Sequence, residues 1–278
     1  MPWKYTDEYY RDYTRTTWNE SSEAYGGFMR YLAPFRAALV SCLQPSAGEK
    51  VLDLGTGPGE PAMTVARAVG TQGHVTGVDL SEKMVSLASE VARARGLQNV
   101  DFLTMDCSAL AFPGDSYDAV VSSFGFQIFT DPEKAAREAH RVVREHGRIC
   151  VSVWSTGDRV PFLDAIIAPM LENAEPDESG YIPTPYETGG PGEMMAFLEA
   201  AGFREPKEQR FQTLVRVESE ENYLESILKG TPIGHSLSEE EPEVQQEVLR
   251  KTRANLTQWR TPQGLAIPAE CLIVSATK

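Results

Sequence analysis

The segment Val51–Glu60, VLDLGTGPGE, constrains the fold of this chain more than any other stretch. An apolar run enters Gly55, Gly57 and Gly59 directly, and a helical pattern follows. Glycine is required where backbone turns tightly, or where a ligand lies against it with no Cβ between. The helix beyond the turn offers its positive N-terminus to polar ligand groups. The spacing is G-x-G-x-G rather than the G-x-G-x-x-G of dinucleotide sites. Asp53, two residues ahead of the first glycine, would repel a pyrophosphate. It suits an amino group, or an ordered water, beside a zwitterionic ligand.

Around this turn the chain alternates. Strands are expected at Lys50–Leu54, His74–Asp79, Val100–Met105, Tyr117–Ser123 and Arg148–Trp154. Helices are expected at Glu60–Val69, Glu82–Arg95 and Asp131–Val143, with Ser81 capping the second. This rhythm predicts an α/β fold, a parallel sheet with helices on both faces. After Trp154 it breaks. Helices are expected at Phe162–Leu171, Glu193–Ala201, Asn222–Leu228 and Glu243–Trp259, and strands at Glu208–Val217 and Ala269–Thr277. The first 45 residues read as helical, and residues up to Phe28 hold eight of the chain's 25 aromatics.

Charge and cysteine usage exclude several functions. The net charge is −14 over 278 residues, which disfavours a nucleic-acid partner. No apolar run is long enough to span a membrane, and the N-terminus has no apolar signal core, so a cytoplasmic location is expected. Cys42, Cys107, Cys150 and Cys271 form no CxxC pair and read as buried thiols, so no metal site is expected. Residues 172–247 hold 18 acidic against 5 basic side chains. A solvated face accounts for that excess; attraction of a cationic substrate is the sharper alternative.

Two carboxylates extend the glycine signal. Asp79 closes the second strand, 24 residues beyond Gly55, where a carboxylate can accept both hydroxyls of a ribose. Asp106 closes the third strand and can accept from an exocyclic adenine amine, with the Cys107 N–H reaching a ring nitrogen. Helix capping is the competing role for each. Three such features at the carboxyl ends of three successive strands favour a nucleoside ligand.

From Lys50 to Trp154 the chain resembles the class I S-adenosylmethionine (SAM) dependent methyltransferases, closest to the ubiquinone/menaquinone C-methyltransferase branch. The resemblance rests on VLDLGTGPG, GVDLSEKMV, MDCSALAFPGDSYDAVVSSFG and DPEKAAREAHRVVREHGRI. It implies a Rossmann-like sheet of seven strands, the last two an antiparallel pair. It implies SAM as cofactor and S-adenosylhomocysteine as product, held by Asp53, Gly55, Thr56, Gly57, Gly59, Asp79, Leu80, Met84, Asp106, Cys107 and Ser123. Quinone methyltransferases carry an FGLRN-like stretch after the fourth strand; here it reads Phe124-Gly125-Phe126-Gln127-Ile128, without the arginine.

The expected organisation is an N-terminal helical lid at 1–45, a SAM-binding core at 46–155, and completion of the sheet at 156–278. Cap insertions are expected at about 156–190 and 218–262. Aromatic ring faces attract a sulfonium, so Tyr13, Trp18 and Tyr25 are expected beside the cofactor. The acceptor is expected to be a small molecule, and a homodimer is kept open. Candidate bases are His235, Asp158, Glu187 and the N-terminal tyrosines, with none assigned. A catalytically silent SAM-binding partner module and a nucleotide-dependent oxidoreductase are the alternatives.

Overall fold

The computed structural model describes residues 7–173, 184–186 and 188–278. Trp3, Tyr5 and Glu187, and the side chains of Tyr9 and Tyr10, lie outside the described residues. The chain opens with two helices, α1 (Asp7–Met29) and α2 (Ala33–Leu43). The alternating part follows as β1 (Lys50–Leu54), α3 (Ala62–Val69), β2 (His74–Asp79), α4 (Glu82–Ala94), β3 (Val100–Thr104), β4 (Tyr117–Ser123), α5 (Pro132–Val142) and β5 (Val143–Trp154). The remainder is α6 (Pro161–Leu171), α7 (Glu193–Ala200), β6 (Arg204–Val217), α8 (Glu220–Gly230), α9 (Pro232–Ser238), α10 (Pro242–Leu256), β7 (Arg260–Thr261) and β8 (Gly264–Thr277).

The sheet runs β3-β2-β1-β4-β5-β8-β6, with β7 paired to β8 beside that path. Pairing is parallel from β3 to β5, and β8 then runs antiparallel between β5 and β6. Strand order reverses at β1 and β4, because β2 and β3 lie to one side of β1 and β4 and β5 to the other. Such a reversal opens a crevice at the carboxyl ends of the strands, where ligands bind in open α/β sheets.

Alternation along the strands builds two cores. On β1, Val51 joins Phe35, Leu39 and Leu43 of α2, while Leu52 and Leu54 join Ala135, Ala139 and Val142 of α5 on the opposite face. The expected cap is present, since Ser81 Oγ accepts the Met84 N–H at 3.1 Å; Asp131 caps α5 in the same way, its Oδ1 accepting the Lys134 N–H at 2.9 Å.

The C-terminal part departs from expectation. β6 begins at Arg204 rather than Glu208, and β8 at Gly264 rather than Ala269, because the two pair along nearly their whole length. Pro206 and Pro268 hid those ends, since proline weakens a strand pattern. β7 makes the sheet eight-stranded rather than seven. α9 was not expected: its seven residues are too few to show helical periodicity. Among the described residues, no helix is long and apolar enough to cross a membrane.

Candidate active site

The site is built at the end of β1. Gly55 and Thr56 both donate backbone N–H bonds of 2.9 Å to Val78 O, which binds the turn to the end of β2. Gly55 and Gly57 take φ of +69° and +53°, where a side chain is strained. A Cβ built on Gly57 would meet only the Tyr25 ring, at 3.9 Å, and would project into open space. Gly59 also has positive φ, but its neighbours there are Met63, Phe102 and Ala88. Its missing side chain serves packing, and it does not line the cavity described below.

Asp53 is also placed differently from expectation. It is fully buried and turned under the loop, where Oδ2 accepts the Thr56 hydroxyl at 2.7 Å and the Ala62 N–H at 3.1 Å. Oδ1 has no hydrogen-bond partner among the described residues, and burial pushes the carboxyl up to about 7. The loop's own donors hold this acid, so it does not face the cavity. Thr56 reaches only a cleft of about 20 Å³ beside it, walled also by Tyr25, Arg36 and Glu60.

Asp79 faces the cavity. Its Oδ2 accepts the Gly57 N–H at 2.8 Å and its Oδ1 the Ser81 N–H at 2.9 Å, and burial raises its carboxyl. Ser81, not Asp79, caps α4, which removes the competing explanation for this acid. Asp106 lies at the same wall, and its Oδ1 accepts the Ser108 N–H at 2.8 Å. No helix follows it, so capping does not explain it either. Arg11 Nε stands 3.0 Å from Asp106 Oδ2, yet this buried nitrogen makes no aligned hydrogen bond, so the contact is ionic. Leu80, Met84, Cys107 and Ser123 share the wall, and burial lifts the Cys107 thiol well above its ordinary range.

The cavity measures about 380 Å³, within the range of small-molecule sites. Tyr13, Trp18 and Tyr25 of α1 reach its wall. Trp18 and Tyr25 meet edge to face at 5.2 Å, and burial pushes the Tyr25 phenol up to about 12. α1 is clasped to the rim, because Asn19 Oδ1 accepts from Ser81 Oγ at 2.6 Å and from the Lys83 N–H at 3.3 Å. The far wall comes from Leu163, Ile167 and Met170 of α6, Pro185, and Pro232 and Ile233 of α9. Phe124 and Trp154, stacked at 4.2 Å, close the side between them. These far-wall residues and Gln127 escaped the sequence reading. The cap segments expected at about 156–190 and 218–262 contain the α6, Pro185 and α9 residues without singling out any of them, and the FGFQI stretch holds Phe124 and Gln127.

Of the candidate bases, Tyr13 and Tyr25 reach the cavity wall, and the His235 ring meets Tyr13 edge to face at 5.9 Å. His235 lies outside the cavity wall, its Nδ1 3.0 Å from Glu20 Oε2, and Asp158 also lies away from it. No acidic residue described within 172–247 lines the cavity.

A doubly wound sheet with a glycine turn after its first strand, and carboxylates closing the next two, defines a Rossmann-like protein with a nucleoside pocket. A family model for a methyltransferase domain matches residues 51–147. Aklanonic acid methyltransferase DauC of Streptomyces sp. (strain C5) is 30% identical over 171 residues, covering 60% of this chain and 77% of that one. Demethylmenaquinone methyltransferase of Thermus thermophilus is 33% identical over 185 residues, covering 61% of this chain and 80% of that one. Among solved structures, a SAM-dependent methyltransferase from Aquifex aeolicus superposes with a TM-score of 0.51 at 20% identity, over 87% of this chain and 88% of that one. The chain belongs to the SAM-dependent methyltransferases: it is an enzyme of that family, and SAM is its cofactor.

Proposed function

We propose that this enzyme methylates an uncharged, largely apolar ring compound enclosed between the strand ends and a helical cap. One observation carries the reading. The charged side chains described on the cavity wall, Asp79, Asp106, Asp131 and Arg15, belong to the strand ends, α5's cap and α1, whereas the α6, Pro185 and α9 wall is uncharged and mainly apolar, with Thr184, Thr231 and Ser236 as its polar side chains. A charged acceptor would lose its hydration there without a counter-charge. The name of one relative, a demethylmenaquinone methyltransferase, fits such a ring.

The residues fit the cofactor. The space that a Cβ on Gly57 would fill supports close approach of a ligand to the backbone. Asp79 would accept from the ribose hydroxyls and Asp106 from the adenine amine, beside Leu80, Met84, Cys107 and Ser123. Gly55 and Gly57 would lie against the amino-acid end. When bound, SAM supplies a methyl group on a cationic sulfur. Tyr13, Trp18 and Tyr25 would stabilise that charge with their ring faces. Asp53, Thr56 and Gly59 act beneath the loop, keeping its shape. Residues 1–45, with segments 156–190 and 218–262, would serve as the cap that excludes water and aligns the acceptor.

No described side chain on the wall is suited to remove a proton at the far end. The Tyr25 phenol, held near 12, stays protonated at neutral pH. An acceptor that ionises in water, such as a phenol or enol, meets this condition. Calorimetry with S-adenosylhomocysteine, followed by transfer from labelled SAM to a panel of ring compounds, tests the reading. Transfer to neutral phenols or enols is expected. Product binding combined with transfer only to aliphatic amines or carboxylates would overturn it.

A further inference from the structure

Gln127 lies in the loop between β4 and α5, on the cavity wall, and is only partly buried. The parallel ladder of β4 and β5 ends at Ser123 and Ser152. Beyond it, the Phe124 N–H donates to Ser152 O at 2.9 Å, and the Trp154 N–H donates to Gln127 Oε1 at 2.8 Å. Because the Trp154 N–H can only donate, the amide oxygen must face it and the amide orientation is fixed by chemistry. This structural duty uses the oxygen alone. Among the described residues no hydrogen bond engages Nε2, and Nε2 is not sealed from solvent-accessible space.

Building on the proposed apolar acceptor, we infer that Gln127 is its polar anchor and sets specificity. The amide Nε2 donates to a carbonyl or phenolic oxygen on the ring, beside the stacked Phe124 and Trp154. A neutral donor in an apolar enclosure favours an oxygen-bearing ring over the bare hydrocarbon, because an unmatched Nε2 would lose its water without replacement. It also gives no counter-charge to a carboxylate, which the arginine of the FGLRN-like stretch would. The acceptor class is therefore a flat ring with a neutral or weakly acidic oxygen.

The test uses protein saturated with S-adenosylhomocysteine and two probes of one shape, naphthalene and 1-naphthol, measured by equilibrium dialysis. The unsubstituted protein should bind 1-naphthol about three- to tenfold tighter than naphthalene. Gln127→Glu keeps an oxygen for the Trp154 N–H and removes the donor. Gln127→Leu removes both. Gln127→Leu should erase the preference while naphthalene affinity stays within about twofold, whereas Gln127→Glu, whose carboxylate accepts from the 1-naphthol hydroxyl instead, keeps one. S-adenosylhomocysteine affinity, measured in parallel, reports an intact cofactor site. An undiminished preference in Gln127→Leu overturns the inference, as does equal binding of the two probes by the unsubstituted protein. Cofactor product bound with neither ring bound refutes the apolar acceptor, and the anchor with it. Both rings bound with the preference unmoved in Gln127→Leu refutes the anchor alone.

Discussion

The two halves of the cavity are made of opposite materials. At the strand ends, short side chains and backbone groups do the work: Gly55 and Gly57, and the Asp79 carboxylate already holding the Gly57 and Ser81 N–H groups. Asp106 is likewise pinned by the Ser108 N–H. Both carboxylates are tied to backbone N–H groups, so the half is ordered before any ligand arrives. The cap half carries mainly aromatic and aliphatic side chains on α1, α6 and α9, with Arg15 and Ser236 among them; Asn19 joins it to Ser81 of the core, and Tyr13 OH lies 3.3 Å from Ser236 Oγ within it. Fixed hydrogen bonds select one ligand closely. Apolar surface tolerates many shapes, because burial of apolar area has no direction. One half can therefore serve a constant cofactor while the other is varied to suit an acceptor.

The contrast breaks most sharply at Gly57. Gly57→Val places a branched side chain at φ +53°, facing open cavity, and should reduce affinity for S-adenosylhomocysteine by more than about 100-fold. Calorimetry reads this directly, and near-native affinity would remove the turn from the cofactor site. Asp79→Ala comes next. Loss of one charge-assisted bond costs about 1.5–3 kcal/mol, so a tenfold to hundredfold weakening is expected in the same titration. Unchanged affinity would leave Asp79 with only its role in holding the loop.

The cap should respond to ligand rather than define it. Trp18→Ala should lower turnover on a ring acceptor about tenfold and weaken cofactor binding by only a few-fold, since a ring–cation contact is worth about 0.5–2 kcal/mol. In the unsubstituted protein, amide hydrogens of residues 7–28 should gain protection when S-adenosylhomocysteine is added. Equal protection with and without it would make α1 a fixed wall.

The smallest effect concerns the floor of the strand-end half. The Asp53 carboxyl is raised to about 7 by burial, so between the ordinary carboxylate range and that value the folded chain holds a proton that the unfolded chain releases. Asp53 therefore stabilises the SAM-free protein most on the acid side, and that stability is lost as pH rises through about 7. Asp53→Asn should flatten this limb. The difference between the two Tm profiles should amount to a few °C, at about 2–4 °C per kcal/mol for a chain of this size. Identical profiles would mean that Asp53 is already ionised in the fold.

The strand-end half was legible because its requirements are local. A strand running into glycines, acids closing two further strands, and Ser81 ahead of an amphipathic helix each state a backbone need that few residues can meet. The alternating elements from β1 to β5 followed for the same reason. What tertiary structure decided is which way those residues face. Asp53 and Gly59 sit in the same ten-residue motif as Gly57, yet one turned beneath the loop and the other against Met63 and Phe102, because the loop's own donors and the α3 and α4 packing claimed them. The cap was decided by tertiary structure more completely. Leu163 and Ile167 of α6 and Ile233 of α9 come from helices far apart in the chain and look like ordinary core residues in sequence. Nothing local separates an apolar side chain that packs against its neighbour from one that lines an empty space. Gln127 shows the same limit: its residue type was visible, but only the Trp154 N–H fixed its oxygen and left its nitrogen for a ligand.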